Sequence, residues 1–256
     1  MNNPLQFLKN HPFAVEAFFE SSTVLTFAAP KEQLQGLIPP CLQLDTFQDK
    51  YGFIAVAMVQ TKNLRPKGFP KFMGSNFFLI GYRIFTKYHN NAGKRLRGLY
   101  ILKSETDQKK MEYLGSIFTQ YKYATTDIQQ IITPEKNQII YSKSGFKVEV
   151  VKDKQETSLP SKSPFADWKE ARRFAGPLPF TFTYQPKNQS VLIIEGVRQN
   201  WKPTPIEVGQ YHIPFLDELQ IENLTLANAF IIKNIPYHWK KGKIEQWKPI
   251  ENPFKE

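Results

Sequence analysis

The sequence predicts an α+β fold built on a mostly antiparallel β-sheet. Apolar and polar residues alternate with a period of two through much of the 256 residues, which is typical of strands. Two strong strands, 76–87 and 96–104, are separated by a turn around Asn90-Asn91-Ala92-Gly93, and so short a connection excludes a parallel crossover. Helical periodicity is confined to two or three short segments. No repeat or long linker divides the chain, so we expect one domain over residues 1–256.

The first half of the chain contains five predicted strands and one helix. Pro30 fixes φ near the start of the helix, and Pro39-Pro40 stops it. A rigid turn rich in Pro and Gly follows at residues 64–70. The strands are residues 14–27 with a break at Ser21-Ser22, 42–47 and 53–61 as a hairpin, 76–87, and 96–104.

The second half combines two helices with further strands. Thr106 or Asp107 can cap a helix over 108–118, and a second helix over 164–175 ends at Gly176-Pro177. Residues 152–163 are polar and are the best candidate for a mobile loop. The predicted strands are 121–132 and 138–151 as a hairpin, 178–184, 190–198, 206–213 and 229–235.

The charge balance favours an anionic partner. The formal net charge is +11, which attracts nucleic acid, acidic lipid or a small carboxylate. The basic residues are scattered in small groups, however, and none belongs to a helix-turn-helix, zinc-finger or RNP pattern. We therefore predict a solvated basic surface rather than a nucleic-acid footprint.

The expected location is the cytoplasm. Cys41 is the single cysteine, so no intrachain disulfide can form. The first twelve residues do not have the pattern of a signal peptide, and no stretch approaches the roughly 18 apolar residues of a membrane span. A homo-oligomer is left open.

Several chemistries find no support in the sequence. The four histidines are far apart and lack metal-ligand spacing, so we expect no metal. A Gly-x-Ser-x-Gly elbow, a P-loop and a Gly-x-Gly-x-x-Gly loop are all missing, so we also expect no cofactor. Cys41 follows two prolines with nothing nearby to activate it, which indicates a buried apolar role.

Arg83 is the most informative polar residue. It lies within the strand 76–87, whose two faces are both mostly apolar. A buried arginine must find a carboxylate, a carbonyl or a bound anion. One interpretation is an internal salt bridge with Glu105 or Asp45. The other is a guanidinium directed into a lumen, where its fork matches a ligand carboxylate.

The partner strand supplies weaker candidates. Arg97 lies at its start beside a basic turn, which favours solvent exposure. Tyr100 alternates away from Arg97 and is a candidate for lining a cavity, although tyrosine is also ordinary strand core.

Two lysine positions are candidates for Schiff-base chemistry, which requires a lowered pKa. Lys109-Lys110 is a doublet in the first turn of a helix, where exposure is expected. Lys122 is flanked by Tyr121 and Tyr123, and strand alternation can place either the lysine or both tyrosines inside.

Several short motifs, in order along the chain, resemble a large group of bacterial proteins related to acetoacetate decarboxylase. The resemblance implies a cone-like, mostly antiparallel β-barrel or strongly curved sheet, with peripheral helices and a ligand pocket in the lumen. The motifs are residues 39–45 (PPCLQLD), 64–70 (LRPKGFP), 82–83 (YR), 97–107 (RGLYILKSETD) and 201–205 (WKPTP).

The resemblance also implies a Schiff-base lysine, a neighbouring lysine and pocket carboxylates, and here the sequence departs from it. Residues 116–120 read SIFTQ where the lysine pair is expected, and Leu79 or Ile80 stands where a pocket glutamate is expected. Both departures argue against decarboxylation, so the fold can transfer without the activity.

Three hypotheses follow. The first is a protein that binds a small organic anion in an apolar lumen, with Arg83, Tyr100, Lys122 and Arg65 as ligand-binding residues and catalytic residues unassigned. The second is a Schiff-base decarboxylase or lyase that uses Lys122 or Lys110. The third is a basic, non-enzymatic binder of nucleic acid or of an acidic surface.

Overall fold

The fold is seen in a computed structural model, which describes residues 10–118, 121, 123–134, 137–151, 158–199 and 201–248, with the backbone alone for 114–118. The helices in these residues are α1 (Lys31–Gln35), α2 (Lys109–Phe118), α3 (Trp168–Ala175) and α4 (Pro214–Glu218). The strands are β1 (Val15–Pro30), β2 (Gln43–Leu44), β3 (Tyr51–Pro66), β4 (Ser75–His89), β5 (Arg95–Thr106), β6 (Tyr123–Thr125), β7 (Gln129–Ile132), β8 (Gln138–Tyr141), β9 (Lys147–Val151), β10 (Phe180–Gln185), β11 (Ser190–Arg198), β12 (Thr204–Pro205), β13 (Glu207–His212), β14 (Thr225–Trp239) and β15 (Lys243–Gln246).

The long strands form a ring. Their order is β14-β1-β3-β4-β5-β10-β11, and β11 pairs again with β14. The closing register places Gly196 opposite Trp239 and Arg198 opposite Tyr237. Neighbours in the ring are antiparallel except β5 and β10, which are parallel. The predicted α+β class is confirmed, and the sheet is a strongly curved, ring-like mixed sheet rather than a strict barrel.

The outer face of the ring packs against a second sheet. This sheet has the order β13-β9-β8-β7. Its apolar residues Phe146, Val148 and Val150 share one buried cluster with ring residues such as Ile80 and Tyr82. Both faces of β4 are therefore covered, as its apolar sequence predicts.

Helix α3 closes one end of the inner face. Asp167 caps the helix by accepting a hydrogen bond from the Glu170 amide at 2.7 Å. The buried Ala171 and Ala175 pack in one cluster with Phe53 and Phe85 from the ring. This end of the lumen is thus filled by protein.

Three local expectations were only partly met. Segment 42–47 does not form a hairpin with β3, because β2 pairs with β4 and a single bridge joins Phe47 to Tyr51. Strand β1 continues through Ser21-Ser22, and register shifts absorb the irregularity. Segment 138–151 is two strands, because a turn with Gly145 at φ 89° reverses the chain.

The helices and the polar loop agree with the sequence in part. Helices α2 and α3 are confirmed at 109–118 and 168–175, shorter than predicted at their N-termini. Residues 152–157 of the predicted mobile loop lie outside the described residues. In the described part of the chain, every helix is too short or too polar to cross a membrane.

Candidate ligand cavity

The inner face of the ring encloses a cavity of about 330 Å³. This volume suits a small organic molecule. Alternate residues of the ring strands line it, since successive side chains in a strand point to opposite faces. The apolar residues on its wall include Val59, Phe77, Leu79, Leu99, Ile101, Ile194, Phe230, Ile232 and Trp239.

Arg83 lies on the wall of this cavity. It is surrounded by protein, and the surface it retains faces the cavity. Its Nε has no hydrogen-bond partner, and none of the described acid residues forms an ion pair with it. Burial lowers the pKa of the Arg83 guanidinium, and the nearby Tyr237, Tyr121 and Tyr123 raise it. A buried guanidinium that no described carboxylate neutralises therefore faces an apolar cavity.

Gly81 makes room for the Arg83 guanidinium. Residues 81 and 83 of β4 share the inner face, and a Cβ on Gly81 would lie 2.9 Å from Arg83 Nε and 3.0 Å from Nη2. The guanidinium therefore rests directly over the Gly81 backbone. Register between β4 and β5 shifts between Tyr82 and Arg83, and such a bulge re-aims the side chains beside it.

The two carboxylates considered as partners of Arg83 are used elsewhere. Asp45 pairs with Arg97 at 2.6 Å. Glu105 pairs with Lys103 at 3.0 Å and accepts a hydrogen bond from the Tyr82 hydroxyl at 2.8 Å. The interpretation of an internal salt bridge between Arg83 and Glu105 or Asp45 is therefore wrong. Arg83 is, as predicted, more buried than the exposed Arg172 and Arg173.

Three tyrosines surround the guanidinium. Tyr121 and Tyr123 precede and open β6, and Tyr237 projects from β14; all three line the cavity. Burial raises the pKa of each of Tyr121 and Tyr237, and the charge of Arg83 lowers it. Tyr237 also hydrogen-bonds with Arg198. The phenols are neutral at neutral pH and provide hydrogen-bonding groups rather than counter-charge.

A second arginine, Arg198, lines the same cavity. Its Nη2 donates to the Pro177 carbonyl, and its guanidinium lies 5.1 Å from the centre of the Trp201 ring. Its Nε is buried without a partner. These neutral contacts orient Arg198, and none of the described acid residues forms an ion pair with it.

Arg65 and His11 also line the cavity. Arg65 pairs with Glu16 at 2.7 Å and donates to the carbonyls of Phe69 and Asn63 at 2.7 and 2.8 Å. Burial lowers the pKa of His11. Arg65, a predicted ligand-binding residue, therefore lines the cavity, and Glu16 neutralises its charge.

Tyr100 and Arg97 do not line the cavity. Tyr100 is half-buried and packs against the buried cluster that contains Tyr82 and Phe146, while its neighbours Leu99 and Ile101 line the cavity. Arg97 is not the exposed residue that its position predicted, because it pairs with Asp45 and lies 4.7 Å from the Phe174 ring.

The lysines are placed less favourably for Schiff-base chemistry. Lys109 and Lys110 are exposed, and Lys122 lies outside the described residues. Of the described residues that line the cavity, none is a lysine, an aspartate or a glutamate. Leu79, one of the positions where the resemblance expects a glutamate, presents an apolar side chain to the cavity.

Sequence reasoning missed Arg198, Tyr237 and His11. The first two meet across the closing β11–β14 pair, where a Cβ on Gly196 would overlap the Tyr237 hydroxyl. A glycine two residues before an arginine occurs in both Gly81-Tyr82-Arg83 and Gly196-Val197-Arg198. That repeated pattern was the available signal. A metal site has no support, since no three His, Cys, Asp or Glu residues cluster within the described ranges.

Comparison with solved structures places this architecture among acetoacetate decarboxylase-like proteins. Acetoacetate decarboxylase from Legionella pneumophila subsp. pneumophila str. Philadelphia 1 aligns with a TM-score of 0.58 and 11% identity, over 96% of this chain and 92% of that one. An acetoacetate decarboxylase-like enzyme from Sphingomonas wittichii RW1 gives 0.56 and 10%, over 92% and 93%. The enduracididine biosynthesis enzyme MppR, complexed with pyruvate, gives 0.54 and 8%, over 91% and 90%. At these identities the likeness establishes the fold alone.

The sequence itself identifies the family. Residues 17–229 match DUF2071, a family described as an uncharacterized conserved protein, and the chain belongs to this family. No functionally curated protein matches the sequence significantly. The predicted resemblance to the acetoacetate decarboxylase group is confirmed at the level of fold by the solved structures.

Proposed function

We propose that this protein binds a small organic anion with an apolar body, and that Arg83 is the anchor for the anion. The observation that carries the proposal is the Arg83 guanidinium, buried on the wall of an apolar cavity without a carboxylate partner among the described residues. An unpaired buried charge costs several kcal/mol. A ligand carboxylate would offset that cost through charge-assisted hydrogen bonds.

The remaining wall supports the same ligand chemistry. Aliphatic and aromatic side chains dominate it, which suits an apolar body. The hydroxyls of Tyr121, Tyr123 and Tyr237 lie close enough to Arg83 to affect its pKa, so they can donate to the same anion. That a solved relative in fold was complexed with pyruvate is consistent with a carboxylate in such a lumen.

The two alternative functions have less support. A Schiff-base lyase needs a desolvated lysine, and the described wall residues supply none. A binder of acidic surfaces needs clustered exposed cations, whereas exposed basic residues such as Lys109, Lys110, Arg172 and Arg173 occur in small groups scattered along the chain. Arg83 and Arg198, for their part, face an interior cavity.

Binding can be measured by calorimetry on protein refolded from denaturant to remove any copurified ligand. Hexanoate and benzoate serve as probes, and hexanamide and benzamide are uncharged controls of matched shape. We expect the carboxylates to bind and the amides to bind at least about 10-fold more weakly, since one charge-assisted hydrogen bond contributes about 1.5–3 kcal/mol. Equal affinity for acid and amide, or no carboxylate binding, would refute the proposal.

The assignment of Arg83 is tested by substitution. Arg83→Met keeps the length of the side chain and removes the charge, and Arg172→Met removes an exposed arginine of α3 as the matched control. Carboxylate binding should be lost in the first variant and unchanged in the second. Trp239 lines the cavity, so its fluorescence provides a second readout.

A further inference from the structure

The cavity contains more positive charge than a single carboxylate neutralises. Both Arg83 and Arg198 line it, and each has a buried Nε without a partner. Both guanidiniums are close enough to Tyr237 to lower the pKa of its hydroxyl. Arg83, Arg198 and Tyr237 therefore line one cavity, and Arg198 lies opposite Tyr237 across the β11–β14 pair.

Among the described residues, no carboxylate pairs with either of these two charges. Arg198 contacts the Pro177 carbonyl and the Trp201 ring, which are neutral. The nearby Glu195 is paired with Lys240 at 2.9 Å. Arg65, in contrast, lines the same cavity and does have a carboxylate, Glu16, at 2.7 Å. The described residues thus neutralise Arg65 and provide no counter-charge to Arg83 or Arg198.

Two like charges repel strongly in a medium of low dielectric constant, so each disfavours the other's burial. A monoanion removes half of the net charge. A dianion neutralises both arginines and can accept hydrogen bonds from the two guanidinium groups and from the Tyr237 hydroxyl.

We propose that the ligand is an organic dianion, held by Arg83 and Arg198 together, with its apolar body against the aliphatic wall. The dianion has either two carboxylates or one phosphoryl group. This inference rests on the proposed function, because it assigns a second anchor to the same cavity.

The test compares matched monoanions and dianions by calorimetry. Hexanoate is set against adipate, and benzoate against the three benzenedicarboxylates and phenyl phosphate. We expect at least one dianion to bind about 10- to 100-fold more tightly than its monoanion, since a charge-assisted hydrogen bond contributes about 1.5–3 kcal/mol. Preference for phenyl phosphate assigns a phosphoryl group, and preference for a dicarboxylate assigns two carboxylates.

Substitution identifies the second anchor. Arg198→Met should abolish the preference for dianions over their matched monoanions, while Arg172→Met, on the exposed face of α3, should preserve both the preference and the benzoate affinity. If benzoate binds and no dianion binds better, or if Arg198→Met retains the preference, this inference is overturned while the proposed function stands. If no anion of the series binds, neither monoanion nor dianion, the proposed function itself fails.

The wild-type protein offers a test that does not depend on the folding of a variant. A phosphate ester loses its second charge near a pKa of about 6, whereas benzoate keeps its charge down to a pKa of about 4. Lowering the pH from 7.5 to 5.5 should therefore weaken the binding of phenyl phosphate relative to that of benzoate, if the site requires two charges. A constant ratio of the two affinities contradicts the inference.

Discussion

Replacing Arg83 should make the empty protein more stable. The guanidinium is surrounded by protein, its Nε has no partner, and burial lowers its pKa. Replacing a buried ion pair by apolar residues of similar volume is often neutral or stabilising by about 1–4 kcal/mol, and an unpaired charge lacks even the attraction of a partner. Because Arg83 retains some contact with the cavity, we expect a gain near the lower end, about 1–2 kcal/mol, for Arg83→Met. For a domain of this size that corresponds to a rise in Tm of about 2–4 °C.

The assay is urea and thermal unfolding of refolded, ligand-free protein, with Arg172→Met as the exposed control, which should lie within about 0.5 kcal/mol of wild type. A saturating carboxylate ligand should reverse the order, because it stabilises only the protein that binds it. If Arg83→Met is less stable than wild type by more than about 1 kcal/mol without ligand, the guanidinium has a favourable partner in the empty protein. The Arg83 guanidinium would then not serve as a ligand anchor.

Three further outcomes are expected. Gly81→Ala should weaken carboxylate binding at least about 10-fold with little loss of stability, because the added Cβ displaces the flexible guanidinium of Arg83. Gly36→Ala is the control, since a Cβ at Gly36 meets nothing within 4 Å. Unchanged binding in Gly81→Ala would count against the geometry. Burial raises the pKa of Cys41 to about 12, so the thiol should resist iodoacetamide at pH 8 until urea unfolds the chain. The unfolded thiol ionises near pH 9, so its contribution to stability is full below pH 9 and is lost as the pH rises towards 12. Wild type should therefore lose about 1–2 kcal/mol more than Cys41→Ala between pH 8 and 10.5, and equal losses would show that the thiol ionises normally. Acetoacetate with borohydride should leave no reduced adduct, and a stoichiometric adduct on any lysine, with release of carbon dioxide, would restore the decarboxylase hypothesis.

The sequence by itself determined the class of fold and singled out Arg83 as a buried charge. Alternation of apolar residues depends only on which face of a strand each side chain occupies, so the strands β4 and β5 and their antiparallel pairing were predictable. An arginine between two apolar faces is costly wherever the strand is buried. Arg83 could therefore be singled out from local sequence.

The tertiary structure decided which charges meet. The sequence offered both Asp45 and Glu105 as partners for Arg83. The register of β4 and β5, with its bulge, instead places these carboxylates against Arg97 and Lys103. Tyr100 and its neighbours differ only in which face of β5 they occupy, and a shift of one residue in that strand exchanges the two sets. Arg198 enters the cavity because β11 returns to pair with β14. Ring closure depends on contacts between residues far apart in the chain, and local periodicity contains no information about them.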